Sequence, residues 1–281
     1  MCMWICGLNA VDFVIFSYDR PLQLYALLES AHVYIKGINQ TYVIYRVSGD
    51  QYMKGYQQVI EAFPDVIFHK QGNNPEKDFK ALTLHASFKS SSAYIMFGVD
   101  DIIVKDYVDL NECVDTLEKT QAYAFYLRLG MNLTCSYPAS QIQKLPPFKQ
   151  INNNVVSWHF NQGEMNWGYP NTVDMTIYRK NDIRSDLAQM NYMGPNSLES
   201  DWSGRVTRVM HREGICFCNS AIVNVPLNRV QTFCATPHMN LHSAPQLLEL
   251  FLQGKKMDIK PLFRIQNGGC HMDYEPTFIK R

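Results

Sequence analysis

The chain of 281 residues has no excess of charge of either sign, with 26 Lys and Arg against 26 Asp and Glu. A balanced chain has no global field to gather nucleic acid or an anionic membrane, so neither is expected as a partner. It also lacks any run of the roughly 18 consecutive apolar residues that a bilayer-spanning helix needs, so no transmembrane segment is expected. Its start, MCMWICGLNAVDF, is apolar but has no basic flank, and Asn9 and Asp12 interrupt it before a signal-peptide core forms. Cys-x-x-Cys knuckles are absent. The eight cysteines (Cys2, Cys6, Cys113, Cys135, Cys216, Cys218, Cys234, Cys270) are scattered, and only Cys216 and Cys218 form a Cys-x-Cys, within an apolar run. That pattern favours free thiols in a reducing compartment over zinc. A cytoplasmic protein is therefore expected, in which the sequons at Asn39 and Asn132 carry no meaning. There is no internal repeat, low-complexity block or clear linker. No Gly-x-Gly-x-x-Gly follows the first apolar run, which excludes the dinucleotide-binding fingerprint.

The composition is that of an ordinary folded globule, 46% hydrophobic and 19% charged. Val11 to Ser17 is β-branched and aromatic without helical period and reads as a strand. The polar turn Tyr18-Asp19-Arg20 follows, and Pro21 opens a helix with Leu24, Leu27, Leu28 and Ala31 at helical spacing. Two readings of this turn stand side by side: amides and Arg20 that bind a phosphate, or Asp19 capping the helix beside a solvated Arg20. Tyr42 to Val47 is a second strand, in which Arg46 calls for an anionic or planar partner, and a helix runs from Tyr52 to Ala62. Val66 to Lys70 is a third strand, and Gln71 to Pro75 a loop. The next helix carries Asp78 in its first turn, where the dipole favours acids. After a further strand, Leu110, Val114 and Leu117 mark a helix, and Ala122 to Leu129 another strand. The alternation predicts an α/β fold with a mostly parallel central sheet and helices on both faces.

The stretch Ala93 to Val104, AYIMFGVDDIIV, holds the feature that most needs a reason. Asp100 and Asp101 interrupt a continuous apolar segment, where unpartnered carboxylates cost several kcal/mol. In an open α/β sheet the carboxyl ends of strands are where ligands sit. The pair therefore predicts a divalent-metal site that holds the phosphates of a nucleotide-linked donor.

Beyond Gly130 the pattern changes. Residues 132 to 154 are rich in Pro, Ser, Asn and Gln, an irregular segment. A loop with Glu164, Trp167, Tyr169 and Asp174 precedes a strand at Met175 to Tyr178; its aromatics either floor a sugar subsite or, the better expectation, pack in the core. A helix is expected near Gly194, capped by Asn196 or Ser197, with Glu199 and Asp201 in its opening turns. The run ICFCNSAIVNV reads as one strand, and Ser243 to Gly254 as an amphipathic helix. His271 follows a Gly-Gly pair in the tail.

A strand ending in FSYDRP, another ending in the acid pair of FGVDDI, and an aromatic, acidic second half resemble glycosyltransferases of the GT-A fold. The segments VIYRVSG, WGYPNTVDMTIYR, PNSLE, NVPLNRVQ and HMDYE are similar to a family-two-like group of bacterial and viral glycosyltransferase-like proteins. The resemblance implies a single GT-A domain over 1–281, with a donor-binding half at 11–130 and a smaller antiparallel acceptor-side half with the C-terminal tail at 131–281. It implies a nucleoside-diphosphate sugar donor, UDP-sugar first, and a saccharide or other hydroxyl acceptor. Donor contacts would come from Ser17, Tyr18, Arg20, Arg46 and Asp50, with Asp78 and Asp100 completing the set. Mn2+ or Mg2+ would sit on Asp101, with Asp100 and His271 as further ligands, since Val99 stands where the motif often has its first Asp. Inverting transfer needs a carboxylate base, for which Glu199 comes first, then Asp174, then Asp201. Retaining transfer also uses this fold. Two other readings are a sugar-nucleotide nucleotidyltransferase, which would want a Gly-rich basic loop after the first strand, and a non-catalytic nucleotide- or sugar-binding module.

Overall fold

A computed structural model describes residues 10–72, 74–137, 139–228 and 242–281. The end of NVPLNRVQ, from Arg229, lies outside them. A nine-stranded sheet forms the centre, its strands lying side by side in the order Lys149–Gln150, Val155–His159, Glu213–Phe217, Ala124–Tyr126, Thr176–Arg179, Tyr94–Val99, Val11–Tyr18, Ile38–Arg46 and Ile67–Lys70. Only Thr176–Arg179 and Val155–His159 run against the rest, so the sheet is mostly parallel. The strands Tyr94–Val99, Val11–Tyr18, Ile38–Arg46 and Ile67–Lys70 are contiguous and parallel because crossover helices connect them: Pro21–Tyr34, Asp50–Ala62 and Pro75–Phe88.

Period-two alternation sends successive side chains to opposite faces and makes two cores. Val11, Phe13 and Ile15 join one with Leu24, Leu27, Tyr56 and Phe251; Val14 and Phe16 join the other with Phe79, Leu187 and Trp202. Trp167 is fully buried against Trp158 and Phe148, so packing accounts for it. At the foot of the first strand Asp12 is buried and accepts from Lys180 Nζ at 2.7 Å and Asn39 Nδ2 at 2.7 Å. Asp12 and Lys180 thus tie the first strand to the helix Lys180–Gln189 of the second half.

Three local readings are corrected. The run ICFCNSAIVNV is two strands: Glu213–Phe217 joins the main sheet, and after a turn Ile222–Asn224 pairs antiparallel with Ile102–Val104. The break is enforced at Gly130, where a Cβ would lie 2.2 Å from the Ser220 nitrogen, and by Asn132 Oδ1, which accepts from that nitrogen at 2.9 Å. The helix Pro195–Ser203 begins after Gly194, with Pro195 in its first turn; neither Asn196 nor Ser197 is its N-cap. Ser197 sits one turn in, where its Oγ accepts from the Met193 and Gly194 amides. Asp19 does not cap the first helix, since its carboxylate accepts from Ser48 N at 2.8 Å.

Candidate active site

Parallel strands deliver their carboxyl ends to one edge, and Val11–Tyr18 and Tyr94–Val99 lie side by side in register. Ser17 and Tyr18 therefore meet Asp100. Asp100 Oδ2 accepts from Ser17 Oγ at 2.8 Å and from Tyr18 N at 3.2 Å, while Oδ1 takes Arg20 Nη1 at 3.0 Å. The same Nη1 reaches Asp101 Oδ2 at 3.4 Å, and Nη2 donates to the Asn228 carbonyl. Arg20 is thus paired rather than solvated: its guanidinium, on a side chain 11% exposed, is clamped between both acids of the pair. Burial works against its charge, but Asp100 and Asp101 outweigh that and raise its pKa. Burial also pushes Asp100 upward against the pull of Arg20. The two shifts favour opposite states of Asp100; its three donors favour the ionised form, which only accepts. Ser17 is held in turn by the Tyr56 hydroxyl at 2.6 Å.

The second half enters this edge by a different route. Because Thr176–Arg179 is antiparallel to Tyr94–Val99, its beginning lies at the edge where its neighbour ends. Asp174 therefore sits beside the acid pair, delivered by Met175, whose φ of +38° is strained for a non-glycine residue. Asp174 is buried. Glu199, on the helix Pro195–Ser203, points into the same loop: its Oε1 accepts from Thr172 Oγ1 at 2.6 Å and Val173 N at 2.9 Å. Burial, and after it the charge of Asp174, pushes the Glu199 carboxyl up to about 7.

Asn224 links the two halves, although the sequence reading did not single it out. Its Nδ2 lies 3.4 Å from Asp101 Oδ1 and 3.4 Å from Asp174 Oδ1. The tail runs alongside: Asn224 N donates to the Cys270 carbonyl, and Met272 N to the Asn224 carbonyl, at 2.9 Å each. This bridge places His271 next to Asn224, with its ring stacked on Tyr137.

Other expected residues lie elsewhere. Arg46 is exposed rather than buried, and its planar partner is the Tyr18 ring, 5.1 Å away. Asp50 is exposed in the first turn of its helix, and Asp78 accepts from the Gly72 amide at 2.8 Å. Asp201 is set apart from Glu199, exposed in a shallow depression with Gln189, Asn191 and Arg205. Two positions along a helix turn a side chain by some 200°, which explains the separation.

Among the described residues no group of three or more His, Cys, Asp or Glu side chains is arranged to hold a metal. Asp100 fits less well as a direct ligand, because its oxygens already take three donors and Arg20 stands nearer to it than to Asp101. Asp101 does fit: its contacts are at the long limit of 3.4 Å and its side chain is 14% exposed. A hard cation that keeps water and substrate phosphates in its shell needs only one or two protein carboxylates.

Sheet order, acid-bearing edge and strand reversal together define the GT-A fold of glycosyltransferases. No protein-family model matches the chain. The chain is 28% identical over 265 residues to the bifunctional glycosyltransferase pgtA of Dictyostelium discoideum, a match that covers 82% of this chain and 33% of that protein. It thus spans about a third of the length of this curated relative. Among solved structures, TarS of S. aureus superposes with a TM-score of 0.50 at 12% identity, over 76% of this chain and 36% of that one. The chain is a homologue of a glycosyltransferase and has a glycosyltransferase fold.

Proposed function

We propose that this chain transfers a sugar from a nucleoside-diphosphate sugar, with UDP-sugars the first donors to test, to a hydroxyl of a saccharide or similar acceptor. The observation that carries the reading is Glu199, a carboxyl whose pKa stands near 7 beside buried Asp174, at the sheet edge that also presents Asp101. A base poised near the working pH is what removal of an acceptor proton requires. Glu199 takes that proton as the acceptor oxygen attacks the anomeric carbon, and Asp174 keeps the neighbouring charge that raises it. An inverting outcome follows from a single base of this kind. Asp101 would hold Mn2+ or Mg2+, with His271 as the second ligand that the sequence resemblance implies; the ion would supply neutralising charge to the departing diphosphate. Ser17, Tyr18 and Arg20 keep Asp100 fixed and so keep the turn that presents Asp101. Arg46, exposed over the half-buried Tyr18 ring, would meet the nucleotide base.

The test is calorimetric titration with UDP and GDP, with and without Mn2+, followed by a donor-hydrolysis assay over a panel of sugar nucleotides. Metal-dependent nucleotide binding with turnover of one donor is the expected outcome. Binding without any turnover would support the sugar- or nucleotide-binding module instead.

A further inference from the structure

Asn224 occupies a position that neither half of the site explains by itself. It ends the strand Ile222–Asn224, whose antiparallel register with Ile102–Val104 sets Asn224 opposite Ile102, the residue after the acid pair. Its neighbour Val225 donates N–H to the Asp101 carbonyl at 2.7 Å. On its other side the backbone is held by Cys270 and Met272 of the tail. The main chain is therefore clamped between the acid-bearing turn and the tail, leaving the side chain little freedom to choose its direction. That side chain is 1% exposed. Its amide nitrogen contacts a donor-side acid, Asp101, and an acceptor-side acid, Asp174, at the same 3.4 Å. The orientation is chemically determined, since two carboxylates accept and only the N–H side of an amide donates. The carbonyl Oδ1 is then turned elsewhere, buried, with no hydrogen-bond partner among the described residues. A buried acceptor left open in this way is anomalous in a native interior and calls for a partner. With the amide nitrogen committed, that partner is a proton donor small enough for an enclosed position, which a buried water fits.

We propose that Asn224 is a positioning residue that fixes the separation between Asp101 and Asp174. The inference rests on the transferase reading above and deepens it. A single side chain spanning both halves sets how far the leaving-group side stands from the base side. Misplacement of about 1 Å is enough to cost roughly 100-fold in rate.

The test compares Asn224→Ala, Asn224→Ser and Asn224→Asp with wild type in the full chain, using UDP with Mn2+ and a hydrolysable UDP-sugar as probes. Asn224→Ala should bind UDP within about threefold of wild type and fall roughly 100-fold in kcat. Asn224→Asp keeps the shape but sets a third carboxylate against two, and should lose kcat as fully. Asn224→Ser decides the matter if the alanine variant does not fold. Unchanged kcat in the folded variants overturns the proposal. So does a loss that appears wholly as weaker UDP binding with kcat intact. Glu199→Gln run in parallel separates this failure from failure of the parent reading: if Glu199→Gln is inactive while the Asn224 variants are normal, only the role of Asn224 falls. If Glu199→Gln turns over normally, the base assignment falls with it.

Discussion

In the proposed transfer Glu199 is one carboxyl with two roles. An acid whose folded pKa stands near 7, against an ordinary value of 4.5, holds its proton more firmly folded than unfolded. The fold therefore loses stability as pH rises from about 4.5 to about 7, while the base form needed for transfer becomes populated over the upper part of that range. Glu199→Gln is expected to retain UDP binding and lose transfer by roughly 10²–10⁴-fold, as measured by donor turnover. It is also expected to melt higher than wild type at pH 8 and no higher at pH 4, a pattern that thermal melts at the two pH values check. The acid pair divides its labour differently. Asp101→Ala should abolish the Mn2+-dependent part of UDP binding and leave the melting temperature near wild type. Asp100→Ala strands the buried Arg20 guanidinium and should cost about 3–5 kcal/mol of stability in a denaturant titration. The sequence showed that two adjacent acids in an apolar run need compensation, but not that Arg20 supplies it. Arg20 lies 80 residues from Asp100, and only the register of the two strands brings them together.

At the scale of elements, the donor-side half was largely legible because each strand and helix there has its own period and its own turn signals. Val11–Tyr18, Pro21–Tyr34, Asp50–Ala62 and Leu110–Thr120 fall where hydrophobic spacing puts them. The irregular half was not, for a physical reason: its strands are short and its contacts distant. Thr176–Arg179 inserts between Tyr94–Val99 and Ala124–Tyr126, an order no local pattern encodes. The turn that splits ICFCNSAIVNV depends on Gly130, some 90 residues before it, whose missing side chain makes room for Asn219 and Ser220. Asn224 escaped notice because that split places it. Gly130→Ala forces a methyl against main chain that cannot move cheaply. It is expected to cost about 1–3 kcal/mol or more, read by chemical denaturation, and to weaken transfer as the strand carrying Asn224 shifts.

The proposed site draws on both halves of the chain at one sheet edge, so ligand binding there would be linked to global stability. UDP with Mn2+ at about 100 times its dissociation constant should stabilise the fold by about 2.7 kcal/mol, and thermal shift with and without the metal checks this. Among the described residues no helix is long and apolar enough to cross a membrane. The pairing of Asp12 with Lys180 has a consequence during synthesis. While the ribosome is still making the middle of the chain, the first strand carries a carboxylate destined for the interior whose ammonium has not yet been polymerised. Asn39 and Ser90 give that carboxylate neutral partners earlier in the chain, but its cation is supplied only once residue 180 has been made.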